Sequence, residues 1–313
     1  RNHFNKVIWA DGILVLNHDK NDVLHYIGAN TFLEMGIAFH FGKNIYGQHF
    51  VNYFSENIDF IIVGKLLGPQ SLAFYQFAYN LPHLVLQHIS YSIETVTFPI
   101  FSKIQDEKER LAKAFLKSTK YISIVTFPLM AGLSFVAKDF MTAAYGPQWE
   151  AAVLPLQILC LSGALRSVIV TVNPVLQAIG RPDIMLKYTL SFTPIVIVLM
   201  IFLSRWGTTG IAVGMVCVVF LYLILVRTGA RLVKTSLRMF LKSLFPAALC
   251  SALMVSFLFI FDWILPVKEL FILVRLGMNI ILGGGFYLMA LRFLFRNDFN
   301  EMLNFMKKMF FKT

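Results

Sequence analysis

Charge is scarce in this chain. Only 14% of its 313 residues are Asp, Glu, Lys or Arg, against about 25% in ordinary soluble domains, while 57% are hydrophobic and mean hydropathy is +0.67. A water-exposed globule is excluded, because its surface needs more charge than this chain carries. Cysteine is equally thin: Cys160, Cys217 and Cys250 lie far apart inside apolar runs, which excludes a disulfide framework or paired CxxC metal spacing. No HExxH, GxSxG, Walker or GxGxxG pattern stands where its chemistry would need it, and the seven histidines do not cluster. We therefore expect no enzyme, no metal site and no cofactor. A secretory leader pattern is missing too, since the chain starts at Arg1 without the basic, apolar, small-residue order of a signal peptide.

What the chain has instead is long apolar runs. Stretches of roughly 20 apolar residues, the length needed to cross hydrocarbon, fall near 44–66, 73–99, 119–137, 151–178, 184–203, 207–226, 240–262 and 270–292. The expectation is an all-α integral membrane protein of about eight transmembrane helices. Residues 1–40 contain only a short apolar run, Val7 to Leu16, interrupted by Asp11 and Gly12 and too short to span. They read as a cytoplasmic linker or a severed upstream region.

The net charge of +11 follows the spans. Basic residues crowd three segments: Lys103 to Lys120, Arg227 to Lys242, and the tail from Arg292 to Lys312, while the alternate loops hold little beyond Lys138, Arg205 and Lys268. The positive-inside rule makes the basic segments cytoplasmic, with the C-terminus inside, and gives the charge a role against anionic lipid heads. Nucleic acid is excluded as a partner, because no basic surface interleaved with aromatics is formed. Lys103 to Lys120, with Leu111, Phe115 and Leu116 among its lysines, reads as an amphipathic helix lying on the lipid surface.

Three segments carry polar residues at steps of three, four and seven: Gln48, Asn52, Ser55 and Asp59; Gln76, Asn80, His83, Gln87, Ser90 and Glu94; Ser162, Arg166, Asn173 and Gln177. Such spacing places each set on one helix face, and polar faces inside a bilayer must be hidden from lipid. A wet, ligand-sized cavity is the expected result. Asp59 suits a cation or proton site, an acceptor for hydroxyls, or a structural carboxylate paired across the bundle. Arg166, read as the one arginine inside a span, suits a bidentate anion contact or a pair with Asp59 or Glu94. Glu94 reads as a helix-end contact, and His83, after Pro82, as a packed histidine or a proton-linked one. Asn173-Pro174 should break the fourth span, Gly283-Gly284-Gly285 should permit close helix approach, and Tyr145, Trp149, Trp206 and Trp263 read as an interfacial belt.

Several pieces then carry a likeness. Phe41-Gly42-Lys43-Asn44, Asn52-Tyr53-Phe54-Ser55-Glu56-Asn57-Ile58-Asp59, Val63 to Gly68, Phe74-Tyr75-Gln76-Phe77-Ala78-Tyr79, Phe98-Pro99-Ile100-Phe101-Ser102, Phe127 to Gly132, Tyr145-Gly146-Pro147-Gln148-Trp149 and Leu176-Gln177-Ala178-Ile179-Gly180-Arg181-Pro182 follow in an order that resembles the second lobe of the polysaccharide-transport family of MOP-type flippases, Wzx, colanic-acid and teichuronic-acid exporters among them. The resemblance implies export of an undecaprenyl-diphosphate-linked oligosaccharide for surface polysaccharide synthesis by alternating access, in the inner membrane of a bacterium. It implies a C-lobe bundle at 41–230, two additional helices at 231–294 and a basic tail at 295–313. Expected partners are the lipid-linked oligosaccharide, membrane lipid, a missing N-terminal lobe and polysaccharide assembly enzymes. The expected cavity residues are Gln48, Asn52, Ser55, Asp59, Asn80, His83, Gln87, Arg166, Asn173 and Gln177. A cation-coupled drug exporter of the related MATE type and a nontransporting remnant are the competing readings.

Overall fold

A computed structural model describes residues 7–10, 13–16, 54, 57–264 and 271–300. The chain divides into two compact units, residues 1–53 and 54–313. In the first, β1 (Val7–Ala10) and β2 (Ile13–Leu16) pair antiparallel with Ala10 opposite Ile13. Asp11-Gly12 between them is the dipeptide that two-residue hairpin connections prefer. Among its described residues the second unit holds helices joined by short turns.

Its elements follow the apolar runs. They are α1 (Ile58–Leu66), α2 (Gly68–Val85), a π-helical turn (Leu86–Tyr91), α3 (Ser92–Lys103), α4 (Lys108–Tyr145), a 3-10 turn (Pro147–Ala152), α5 (Val153–Ile169), α6 (Val172–Ala178), α7 (Pro182–Leu203), α8 (Gly207–Leu232), α9 (Leu237–Ile264) and α10 (Ile272–Leu294). Among the described residues, five helical stretches are long and apolar enough to cross a membrane: 108–145, 147–178, 182–232, 237–264 and 272–294. The stretch 182–232 makes two passes, because it folds back at Ser204–Trp206 and Gly207 (φ +65°). Gly214 then lies against Met200 and Gly210 against Leu203, while Tyr188 meets Thr228 at 2.8 Å. The second predicted span is the continuous helix from Gly68 to Lys103; its polar residues keep it less apolar than the others. Of the first, Phe54, Asn57 and α1 lie within the described residues.

Large exposed apolar side chains such as Val198, Ile201, Phe220, Ile281 and Met289 cover the outside, as lipid contact requires. Inside, one apolar cluster joins α4, α5, α6, α8, α9 and α10, and a second joins α1, α2, α5, α7 and α8. Cys160 and Cys250 are buried, but Cys217 is exposed on α8, so it is not the buried small residue expected.

Lys103 to Lys120 does not form a separate surface helix. From Lys108 it is the first part of the 38-residue α4, about 57 Å long at 1.5 Å per residue. Leu111 and Phe115 are fully buried in the core, Phe115 stacking on Phe240 at 5.8 Å. The apolar stripe that suggested lipid packing serves helix packing instead.

Hydroxyl pairs zip α4 to α5 and α6. Thr119 meets Thr171 at 3.0 Å, Thr126 meets Ser167 at 2.8 Å, and Gln157 donates to the Ser134 carbonyl at 3.1 Å. Interhelical hydrogen bonds of this kind are worth roughly 0.6 kcal/mol on average and up to about 1.7. Thr126→Val is therefore expected to lower resistance to denaturant in mixed micelles by about 1 kcal/mol without changing insertion.

Candidate functional site

Asp59, in the first turn of α1, is 1% exposed, and its carboxylate accepts a 2.8 Å hydrogen bond from the fully buried hydroxyl of Tyr75 on α2. Four residues on, a step that keeps the same helix face, Tyr79 accepts a hydrogen bond from Arg166 Nη1 at 3.2 Å. Phe60 sits edge-on to both tyrosines, at 5.5 and 5.0 Å between ring centres. His83, another four residues on, stacks on Tyr79 at 5.3 Å, and Tyr91 meets His83 at 6.3 Å. One stripe of α2 thus ties α1 to α5 through a buried acid, two phenols and a half-buried guanidinium.

The helices that hold this stripe are both interrupted beside it. Pro82 lies inside α2, and the π-helical turn follows at Leu86–Tyr91; such turns often occur at functional sites. On the other side, α5 ends at Ile169 and α6 begins at Val172, with Pro174 in its first turn. Contacts of Phe74 with Trp149, Pro82 with Gly163 and Glu94 with Asn173 advance together along both chains, so the two broken helices run in parallel with their breaks at one level. Arg166 lies just before the break. Below it, the Asn173 side chain lies beside the Glu94 carboxyl.

The polar residues expected in the cavity separate into groups. Asp59, His83, Arg166 and Asn173 line this seam. Asn80 and Gln87 are exposed on the neighbouring face of the same helix, with Gln76, and Gln177 is exposed on α6. Ser162 is instead buried and bonded to the Met215 carbonyl at 3.4 Å, a packing contact between α5 and α8. Gln48, Asn52 and Ser55 lie outside the described residues.

Three expectations change. Arg166 has a partner the sequence did not suggest, the Tyr79 hydroxyl, to which it donates at 3.2 Å. Arg166 is also not the one arginine in a span: Arg275, near the start of α10, pairs with Asp139 of α4 through both carboxylate oxygens, Nε to Oδ2 at 2.8 Å. The pair cancels its charge, so Arg275 leaves none to offer an anion. The aromatic belt divides, since Tyr145 and Trp149 pack with Phe74 and Phe77 inside the bundle, while Trp206 and Trp263 are exposed.

The comparisons with known proteins agree with the sequence likeness. Residues 27–154 match the family described as Polysaccharide biosynthesis protein. The teichuronic acid biosynthesis protein TuaB of Bacillus subtilis is 36% identical over 146 residues, which are 47% of this chain and 30% of that protein. The lipopolysaccharide biosynthesis protein WzxC of Escherichia coli is 32% identical over 162 residues, 50% of this chain and 33% of that protein. The succinoglycan biosynthesis transport protein ExoT of Rhizobium meliloti is 25% identical over 150 residues, 48% of this chain and 30% of that protein. The matched part of the chain therefore spans about a third of the length of these curated relatives. No solved structure matches. Over about half of its length this multi-pass membrane protein is similar to polysaccharide biosynthesis and transport proteins, the Wzx-type and teichuronic-acid ones among them.

Proposed function

We propose that this chain forms one wall of a flippase that passes an undecaprenyl-diphosphate-linked oligosaccharide through the cytoplasmic membrane of a bacterium. The observation that carries the reading is Arg166, half-buried within a membrane helix and oriented by Tyr79, beside an open face bearing Gln76, Asn80 and Gln87. Hydrocarbon tolerates such a face only where it meets water or another protein surface. A diphosphate suits the planar fork of a guanidinium, and sugar hydroxyls suit the amide row. The polyprenyl tail stays in lipid while the head group passes. No bond is made or broken, so no catalytic residue is invoked.

In this reading a second helical bundle faces the amide row and completes the passage. The paired breaks at Leu86–Tyr91 and Val170–Thr171 supply the places where two facing helices can bend together as access alternates. Asp59 acts from behind, fixing Tyr75 and through it the stripe that carries Tyr79.

Deleting the gene is expected to remove surface polysaccharide and leave its lipid-linked repeat unit on the inner leaflet, with recovery on complementation. Normal polysaccharide together with lost resistance to cationic dyes would replace this reading with a drug exporter. Neither defect would leave a membrane protein without transport.

A further inference from the structure

Proline removes a rung from a helix: it has no N–H, so the carbonyl four residues earlier loses its partner. In α4 that proline is Pro128 and the released carbonyl is Ile124. The buried Tyr287 hydroxyl of α10 donates to this same oxygen at 2.7 Å. In a membrane interior both groups would otherwise be costly to leave unmade. Other hydroxyls of α4, such as those of Thr119 and Thr126, bond carbonyls of their own helix with no proline four residues on. Among the described residues, Tyr287 alone reaches across from another helix to an opened rung of α4.

Two ion pairs bracket that contact. Arg275 grips Asp139 beyond one side, and Lys120 reaches Asp298 at 2.6 Å beyond the other, every side chain about a fifth exposed or less. Lys120 and Asp139 are separated by about 28 Å of helix at 1.5 Å per residue, close to the roughly 30 Å of the hydrocarbon core. The chain after α9 is therefore tied to α4 near both membrane borders and once between them. On its other face, beside the opened rung, Thr126 of α4 bonds Ser167, the residue next to Arg166.

We propose that Tyr287 is the latch of a proline-opened joint in α4, and that α10 through this latch sets the angle at which α4 holds α5 and Arg166 against α2. Tyr287 is a positioning residue: it touches no transported molecule. The latch stands on geometry alone, whereas its consequence for transport rests on the flippase reading.

A double-variant cycle tests the latch without substrate, by thermal unfolding in detergent. Pro128→Ala restores an N–H to the Ile124 carbonyl and should make the tyrosine hydroxyl redundant. Tyr287→Phe, which keeps the ring, is expected to lower Tm by about 2 to 4 °C, and to lower it no further once Pro128→Ala is present. An equal loss in both backgrounds, or none in the first, overturns the latch. Spin labels at the exposed positions Leu84 and Leu161, in a background with the three cysteines replaced by alanine, read the α2–α5 distance. Broadening by Tyr287→Phe and its reversal by Pro128→Ala support the positioning role; an unchanged distribution overturns it. A loss of export in Tyr287→Phe that Pro128→Ala rescues supports the link to transport. A normal latch cycle without any export by the unmodified protein would overturn the flippase reading and leave the joint intact.

Discussion

Arg166→Ala is expected to abolish export, lowering the initial rate about 100-fold or more while the protein reaches the membrane in normal amount. The magnitude follows from what the side chain supplies. Truncating one member of a desolvated, hydrogen-bonded charge pair costs about 2 to 5 kcal/mol, and about 2.8 kcal/mol is a factor of 100. Folding should survive, because Arg166 is only half-buried and Tyr79, packed against Phe60 and His83, keeps its ring contacts without it. Arg166→Lys separates charge from shape: a point charge is retained and the planar fork lost, so roughly a tenth of the rate should remain. Tyr79→Phe tests orientation, since the guanidinium stays but loses its 3.2 Å partner. Surface polysaccharide measured per unit of membrane protein decides the matter. Full polymer from Arg166→Ala would remove Arg166 from the substrate path, whatever the protein carries.

The apolar runs made most of the helices legible. Seven of the eight predicted stretches correspond to described helical passes, because a bilayer demands length and hydrophobicity that composition alone reveals. What the runs could not convey was where helices continue beyond them. Lys103 to Lys120 looked like a surface helix since its lysines resemble an interfacial pattern, yet Leu111, Ala112 and Phe115 belong to the buried cluster that α4 shares with α9, where Phe115 stacks on Phe240. The pairing of β1 with β2 also has a sequence signal, an Asp-Gly dipeptide between two short apolar runs, which a search for membrane-length runs does not register.

The site was half legible. A stripe at 76, 80, 83 and 87 and a lone Arg166 could be seen, because amides and charge stand out in an apolar chain. The two tyrosines that organise the seam, Tyr75 and Tyr79, could not: in a chain with 31 phenylalanines and 11 tyrosines, an aromatic at helical spacing reads as packing. Their hydroxyls were the missed signal, since a buried phenol needs a partner, and the available partners were the two charges already singled out. Arg275 was missed for the converse reason. It lies near a span end, and only the fold brings Asp139, 136 residues away, to neutralise it.

Gly210→Ala is expected to be the most damaging single methyl in the helical unit. A Cβ there would sit on the Leu203 carbonyl oxygen, well inside contact distance, and 3.0 Å from both the Leu203 carbonyl carbon and Trp206 Cβ. These atoms belong to the backbone and the tight connection between α7 and α8, so no side-chain rotation relieves the clash. Gly214, one turn further along α8, supplies the control. Its Cβ would also be crowded, though less closely, 2.8 Å from Met200 Sδ and 3.1 Å from Leu203 Cδ1, but both are ends of flexible side chains, and a thioether adapts readily. Overpacking against movable atoms costs about 1 to 3 kcal/mol at most sites and more where the backbone must shift. Gly210→Ala should exceed about 3 kcal/mol, a fall in Tm of roughly 6 °C or more, and Gly214→Ala should stay near 1. Equal stability of the two variants in detergent would mean that the hairpin does not close at Ser204–Gly207 as tightly as its geometry requires. The consequence reaches the seam, because α7 and α8 form the wall behind α1 and α5: Met200, Ile211 and Ala212 share one buried cluster with Tyr75 and Leu159. Opening the hairpin should therefore weaken export in proportion to lost fold, whereas Arg166→Ala should remove export and leave Tm in place.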